Sequence, residues 1–249
     1  MQHVNKVKNQ LSLLYFAVLG LVIYLIIAPF LIPLALFSLF FPKLMDVYYL
    51  ILLIAIKTYL KISPLKIQKD LNILSRIDQR KSMIVCNHRS HLDMYLLLAN
   101  VYKVRAVANA YLLKVPVMGQ VLWMSGHFVV EAGDIEAYKK ALVQIGEAFR
   151  RHDKVLIFPE MHRCPSGMEG IQKFRMTAFQ LAREHKVEII PVVLTGTDKV
   201  WPKGMMSMDF SQKVSIKALP AINPHDFKDT ASLAKFTHQL MEEELRKIS

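Results

Sequence analysis

Cys86 and Cys164 are the only two cysteines in the chain. They form no Cys-x-x-Cys pair, and two thiols do not make a disulfide framework, so a disulfide-stapled fold is excluded. The pair fits a reducing compartment. Acidic residues are also few: 20 Asp and Glu stand against 32 Lys and Arg, a formal net charge of +12. Such a surplus draws a protein to polyanions, either nucleic acid or an anionic membrane face. Charge of both signs is missing between Lys8 and Lys43. Internal repeats and low-complexity stretches are absent. So is a small-residue cleavage site, and the first apolar run exceeds a signal-peptide core of about 7–15 residues, so Met1 to Leu50 is not read as a signal peptide.

Hydrophobic residues make up 53% of the chain while 21% are charged, so the apolar excess is local. It lies in Leu11 to Phe41, longer than the roughly 20 helical residues that cross a hydrocarbon core. Pro29 and Pro33 interrupt this run and Pro42 closes it. It reads either as one kinked span or as a helix from Leu11 to Ala28 that turns and re-enters. A second apolar helix is expected over Val47 to Ile62, with Lys57 and Lys61 reaching to the headgroups. The two read as a two-helix membrane anchor over residues 1–62. With such an anchor the basic surface is assigned to anionic lipid and not to nucleic acid.

Ser63-Pro64 marks a boundary, and residues 63–249 read as an α/β domain with a central sheet flanked by helices. Strands are expected over Ser82–Cys86, Arg105–Ala108, His127–Val130, Lys154–Phe158, Glu188–Leu194 and Gln212–Ala218. Helices are expected over Ser90–Tyr102, Val117–Met124, Asp134–Arg151, Phe174–His185 and Thr230–Lys247. In the third of these Ile135, Tyr138, Leu142, Ile145 and Phe149 fall on one face, with Asp134 as N-cap. Pro191, in the buried run Ile190–Leu194, suits only an edge strand or a strand beginning.

Three stretches carry chemistry. Directly after the first buried strand comes Asn87-His88-Arg89-Ser90-His91-Leu92-Asp93. A histidine that accepts a proton from a hydroxyl needs one ring nitrogen free and the other held as a donor, and a carboxylate provides that hold. With His88 in a turn and Asp93 on the first helical turn, the chain can fold back to join them. His88, His91 and Asp93 as metal ligands is the rival reading, but the spacing of an HExxH zinc site is not met, and no metal is expected. The second stretch is Phe158-Pro159-Glu160, followed by Arg163, Lys173 and Arg175, a loop able to hold the phosphate of a lipid headgroup or of coenzyme A. The third is Lys114 with Pro116 and Gly119, suited to an acyl groove or to a plain amphipathic turn.

In this order the motifs resemble the glycerolipid acyltransferase family, most of all the bacterial 1-acyl-sn-glycerol-3-phosphate (lysophosphatidate) acyltransferases. Asn87, His88 and Asp93 match its NHxxxxD motif. Lys114, Pro116 and Gly119 match its lysine–proline–glycine stretch with a one-residue shift. Phe158 to Cys164 stands for FPEGTRS, and Ile190 to Leu194 for its last, proline-containing motif. The resemblance runs from about Lys66 to Leu219. It implies a membrane-bound O-acyltransferase, with His88 as base and Asp93 orienting it. Asn87, Pro159 and Gly119 would support the motifs, and Glu160, Arg163, Lys114, Lys173 and Arg175 would serve the phosphate-bearing acceptor. The donor would be acyl-CoA or acyl-carrier protein, with no bound cofactor. Membrane lipids would be the surroundings, and the catalytic domain would lie on the cytoplasmic face. Another lysolipid acceptor, or hydrolysis of a lipid ester or thioester by the same pair, remains the alternative.

Three departures stand out. Glu131-Ala132 replaces an Asp-Arg pair whose arginine would hold phosphate. Met161-His162 replaces Gly-Thr, and a glycine would take the loop's conformation more readily than Met161. Thr177 stands where the family tends to have glycine. All three bear on the acceptor and leave His88 and Asp93 untouched.

Overall fold

The computed structural model describes residues 2–71, 81–131, 133–165 and 167–248. The chain opens with two helices, α1 (Gln2–Phe37) and α2 (Leu44–Ile62), which pack against each other. Among the described residues one helix, not two, has the length and apolar character of a membrane span: Lys6–Phe37. Pro29 and Pro33 lie inside it, so the expected choice between a kinked helix and a re-entrant turn resolves to one continuous helix. The chain turns over residues 38–43, which include Pro42, before α2 begins at Leu44.

Next come β1 (Lys66–Asp70), β2 (Ser82–Cys86), α3 (Leu92–Leu98) and β3 (Val104–Asn109). A 3-10 turn (Ala110–Lys114) leads to α4 (Met118–Met124), β4 (Phe128–Val130), α5 (Ile135–Arg150) and β5 (Lys154–Ile157). The rest is α6 (Thr177–Glu184), β6 (Glu188–Thr195), the single turn α7 (Thr197–Val200), β7 (Lys213–Ala218) and α8 (Thr230–Ile248). The described strands form one sheet in the order β1-β7-β6-β2-β5-β3-β4. Every pairing is parallel except β6 with β7.

The helices cover both faces. On one, Phe149 of α5, Phe179 of α6 and Leu233 of α8 pack on Met83, Val155 and Ile189. On the other, Phe16 of α1, Tyr59 of α2 and Leu96 of α3 pack on Ile84, Leu156 and Ile190. The strands β2, β5 and β6 are therefore buried on both sides, as continuous apolar runs in parallel sheets require. The first two helices are part of this core: Phe16 is 2% exposed, and the Tyr59 hydroxyl donates to the Phe16 carbonyl at 2.8 Å.

Four expectations need correction. Pro191 sits mid-strand in β6, which is flanked by β2 and β7 and is no edge. It is tolerated because pairing with β7 begins only at Val192. On that flank the Pro191 carbonyl still accepts from Leu219 N at 2.8 Å, so only the one bond that proline cannot donate is missing. The helix expected from Ser90 to Tyr102 spans only Leu92–Leu98, and that expected from Phe174 spans Thr177–Glu184. Ile135 is 67% exposed rather than part of the inward face of α5. Strand β1 was not anticipated, because its sequence KIQKD is polar and it lies exposed at the sheet edge.

Candidate active site

Strands β6, β2 and β5 are neighbours and run parallel, so their carboxyl ends open on one edge. That edge is where open α/β sheets place their ligands. The loop after β2 brings His88, the loop after β5 brings Glu160, and the turn after β6 brings Asp198.

Asn87 begins the β2 loop. Its side-chain amide donates to Leu194 O at 2.9 Å, and its side-chain carbonyl accepts from Leu194 N at 2.8 Å. The side chain thus imitates one more pair of the β2–β6 ladder and fixes where the backbone departs. His88 follows, and its Nδ1 lies 2.8 Å from Asp93 Oδ2. The same carboxylate oxygen accepts from Arg89 N at 2.7 Å and Ser90 N at 2.8 Å, so Asp93 is held before it meets the histidine. Asp93 is fully buried while the His88 side chain is 18% exposed. With Nδ1 donating to Asp93, the lone pair of His88 sits on Nε2. The imidazole stacks on the Phe158 ring, centroids 4.0 Å apart and planes 18° apart.

The loop after β5 clamps the histidine backbone from both ends. His88 N donates to Glu160 Oε1 at 2.7 Å, and Cys164 N donates to His88 O at 2.7 Å. The second carboxylate oxygen of Glu160 accepts from Gln172 N and Nε2 at 2.9 and 3.2 Å. Glu160 is 6% exposed, and burial raises its carboxyl despite the hydrogen bonds from His88 and Gln172. Its oxygens are thus committed to the loop. Pro159 is buried next to it, and its carbonyl accepts from Arg175 N at 2.8 Å. Met161 takes φ +65°, the left-handed conformation a glycine adopts freely and other residues rarely.

Arg89 closes the loop on its other side. It donates to Asp198 Oδ2 at 2.8 Å, to Gly170 O at 3.1 Å and to Met168 O at 3.2 Å. Burial alone would push the Asp198 carboxyl up, but the Arg89 guanidinium holds it below its ordinary value. Ser90 Oγ donates to Trp201 O at 2.8 Å, and His91 packs on the Trp201 ring at 5.3 Å. His91 is pushed down to about 4, by burial first and then by the nearby Arg163 and His88. Among the described residues, no group of three or more His, Cys, Asp and Glu is placed to hold a metal ion.

The structure therefore brings together Asn87, His88, Asp93, Pro159 and Glu160, with Arg163 close enough to act on His91. Arg163 is half-buried, and among the described residues no hydrogen bond or ion pair engages its guanidinium. Lys173 and Arg175 are exposed on the segment that continues from Gln172. Lys114 and Gly119 stand apart: they follow β3, on the same sheet edge but two strands from β2, and no described hydrogen bond or ion pair joins them to the His88 loop. Ala132, where the arginine of the second motif would stand, lies outside the described residues. The Thr177 hydroxyl shares a 2.8 Å hydrogen bond with Tyr138 and joins α6 to α5. Sequence reasoning missed the Arg89–Asp198 pair, because the two stand 109 positions apart with no local pattern to link them. It quoted Phe158 without giving it a part.

The family model described as Acyltransferase matches residues 66–195, which include His88, Asp93, Glu160 and Arg163 but end before Asp198 and Trp201. The chain belongs to the acyltransferase family. It is 29% identical over 146 residues to a 1-acyl-sn-glycerol-3-phosphate acyltransferase of Chlamydomonas reinhardtii, covering 58% of this chain and 43% of that one. A chloroplastic enzyme of the same name from Brassica napus is 30% identical over 120 residues, 48% of this chain and 34% of that one. The chain thus spans less than half of these two relatives. The Salmonella typhimurium enzyme of that name is 25% identical over 172 residues, covering 67% and 68% of the two chains. The crystal structure of the 1-acyl-sn-glycerophosphate acyltransferase PlsC of Thermotoga maritima superposes with a TM-score of 0.77 at 19% identity, over 100% of this chain and 98% of that one. At that identity the likeness is one of fold: an acyltransferase α/β fold preceded by an apolar N-terminal helix.

Proposed function

We propose that the chain is a membrane-attached O-acyltransferase that moves a fatty acyl group from a thioester, on coenzyme A or an acyl-carrier protein, to the free hydroxyl of 1-acyl-sn-glycerol-3-phosphate, giving phosphatidate. The observation that carries this is the His88–Asp93 pair, with Nδ1 bound to a buried carboxylate on a histidine whose side chain is partly exposed. In this reading His88 Nε2 takes the hydroxyl proton as the oxygen attacks the thioester carbonyl. The tetrahedral intermediate collapses with cleavage of the carbon–sulfur bond, and the departing sulfur takes the proton back from His88. One ester forms, one thioester breaks, and neither metal nor redox cofactor is needed. Asp93 orients the ring and stabilises the imidazolium.

Arg163 supplies the unengaged cation for the acceptor phosphate, with Lys173 and Arg175 farther out on the adjoining segment and Lys114 across the edge. Glu160 serves the site by holding the His88 backbone. Membrane attachment is supported by α1. Its inward stripe, Leu13, Phe16, Leu19, Ile23, Ile27 and Leu31, packs on α2 and the α/β domain, while its outward residues, among them Leu14, Leu25 and Phe30, are exposed and apolar. The excess of basic residues favours the cytoplasmic face.

The test is a panel of lysolipid acceptors offered with a labelled acyl thioester, scoring both thiol release and labelled lipid. Thiol release that requires an acceptor, with lysophosphatidate preferred, is expected. Release at the same rate without any acceptor means a hydrolase, and preference for a lysolipid with another headgroup moves the substrate assignment.

A further inference from the structure

The turn between β3 and β4 carries more exposed apolar surface than its length explains. Tyr111, Leu113, Val115 and Trp123 are 49, 43, 37 and 68% exposed. Single exposed apolar residues are ordinary, but a cluster on one rigid unit marks a contact surface. This unit is rigid. Asn109 caps its start by accepting from Tyr111 N at 3.1 Å, and Gly119 N donates to Val115 O at 2.8 Å. Helix α4 lies so close to the 3-10 turn that a Cβ on Gly119 would fall 2.1 Å from the Leu113 carbonyl oxygen.

What covers the patch follows from what it is joined to. The opposite face of α4, through Val121 and Met124, packs against Leu31 of α1 and Tyr48, Tyr49 and Leu52 of α2. The Tyr49 hydroxyl also donates to Ser125 O at 2.6 Å. The patch is thus fastened beside the exposed apolar face of α1, and it follows β3 on the sheet edge that carries His88. Its residue types suit a bilayer interface: a tryptophan, a tyrosine and aliphatic side chains, with Lys114 able to extend toward headgroups. Residues 110–123 hold that one cation and no acid, too little charge for docking an acidic protein.

We propose that the segment from Tyr111 to Trp123 is a second membrane contact, seated at the headgroup–acyl boundary of a lipid bilayer, so that α1 and this turn together set the sheet edge bearing His88 against the membrane surface. This rests on the membrane attachment proposed above. The segment lies within the reach of a shallow interfacial element, which buries its apolar face by about 5–10 Å.

The chain has two tryptophans, so Trp201→Phe leaves Trp123 as the sole tryptophan reporter. The full chain is mixed with phosphatidylethanolamine–phosphatidylglycerol vesicles and with the same vesicles brominated high on their acyl chains. Co-sedimentation reports attachment, and tryptophan emission reports depth. The expected result is sedimentation with emission quenched about twofold or more at this shallow depth. Unchanged emission from fully sedimented protein overturns the proposal while leaving membrane attachment standing. Failure to sediment removes both. In a second arm Leu113→Asp with Trp123→Asp, at two exposed positions, is compared with the parent at high salt after matched melting curves. Partitioning about tenfold weaker is expected for loss of two half-buried apolar side chains, and equal partitioning overturns the proposal.

Discussion

Asp93 Oδ2 gathers three N–H groups, from the His88 ring and from the backbones of Arg89 and Ser90. Asp93→Asn retains the size of the side chain and removes the charge that stabilises an imidazolium. The rate should fall about 10²- to 10⁴-fold with the KM for acceptor little changed. Turnover at the parent rate would reduce Asp93 to a cap on α3. A second residue sets the acid limit of the fold. His127 bridges β3 and β4, its Nδ1 accepting from Ala106 N at 2.8 Å, and burial together with the Arg105 guanidinium pushes it down from 6.5 to about 4. Between those two values the unfolded chain binds a proton that the folded chain refuses. Stability therefore falls as pH drops through that window, by a total on the order of 3 kcal/mol, and levels off below it. His127→Asn keeps an acceptor for Ala106 N and abolishes the titration. Melting temperatures from pH 7 to 4.5 should fall more steeply for the parent, and parallel curves would refute the assignment.

At the scale of elements, Asn87 is as much a part of the sheet as of the motif. Its two hydrogen bonds to Leu194 end the β2–β6 ladder and aim the His88 loop. Asn87→Ala leaves a buried N–H and C=O unserved and should cost about 2–4 kcal/mol. Denaturant unfolding checks this, and a loss below a fraction of that figure would make Asn87 dispensable to the fold. The same residue shows what the sequence reveals and what it hides. Buried strands β2, β5 and β6 were legible because apolar runs end at motif residues, and α5 because Asp134 caps it by accepting from Ala137 N at 2.9 Å. The His88–Asp93 contact was legible because five residues and one turn suffice to close it. Tertiary links were not. Nothing local tells that Pro191 can stand mid-sheet just before the β6–β7 ladder begins, that polar β1 pairs with β7, or that Glu160 turns inward to hold His88 N. Those features are decided by neighbours far along the chain.

On the whole molecule, apolar and electrostatic attachment are separable. The outward face of α1 is apolar, while the surplus of +12 is spread over the chain outside Lys8 to Lys43. Vesicle co-sedimentation should show a preference for anionic over zwitterionic lipid at low salt. That preference should vanish at about 0.5 M, where the screening length is a few ångströms, while residual binding persists. Complete release at high salt would mean that α1 does not contribute to the attachment. The α1–α2 pair also shares its core with the domain through Phe16, Tyr59 and Leu96, so the full chain is the unit in which activity should be measured. The most direct measurement is the initial rate at which labelled phosphatidate forms from a labelled acyl thioester and 1-acyl-sn-glycerol-3-phosphate, in the parent and in His88→Ala of matched stability. The account predicts product from the parent and a loss of about 10²- to 10⁴-fold in the variant. Equal rates in the two proteins would contradict it.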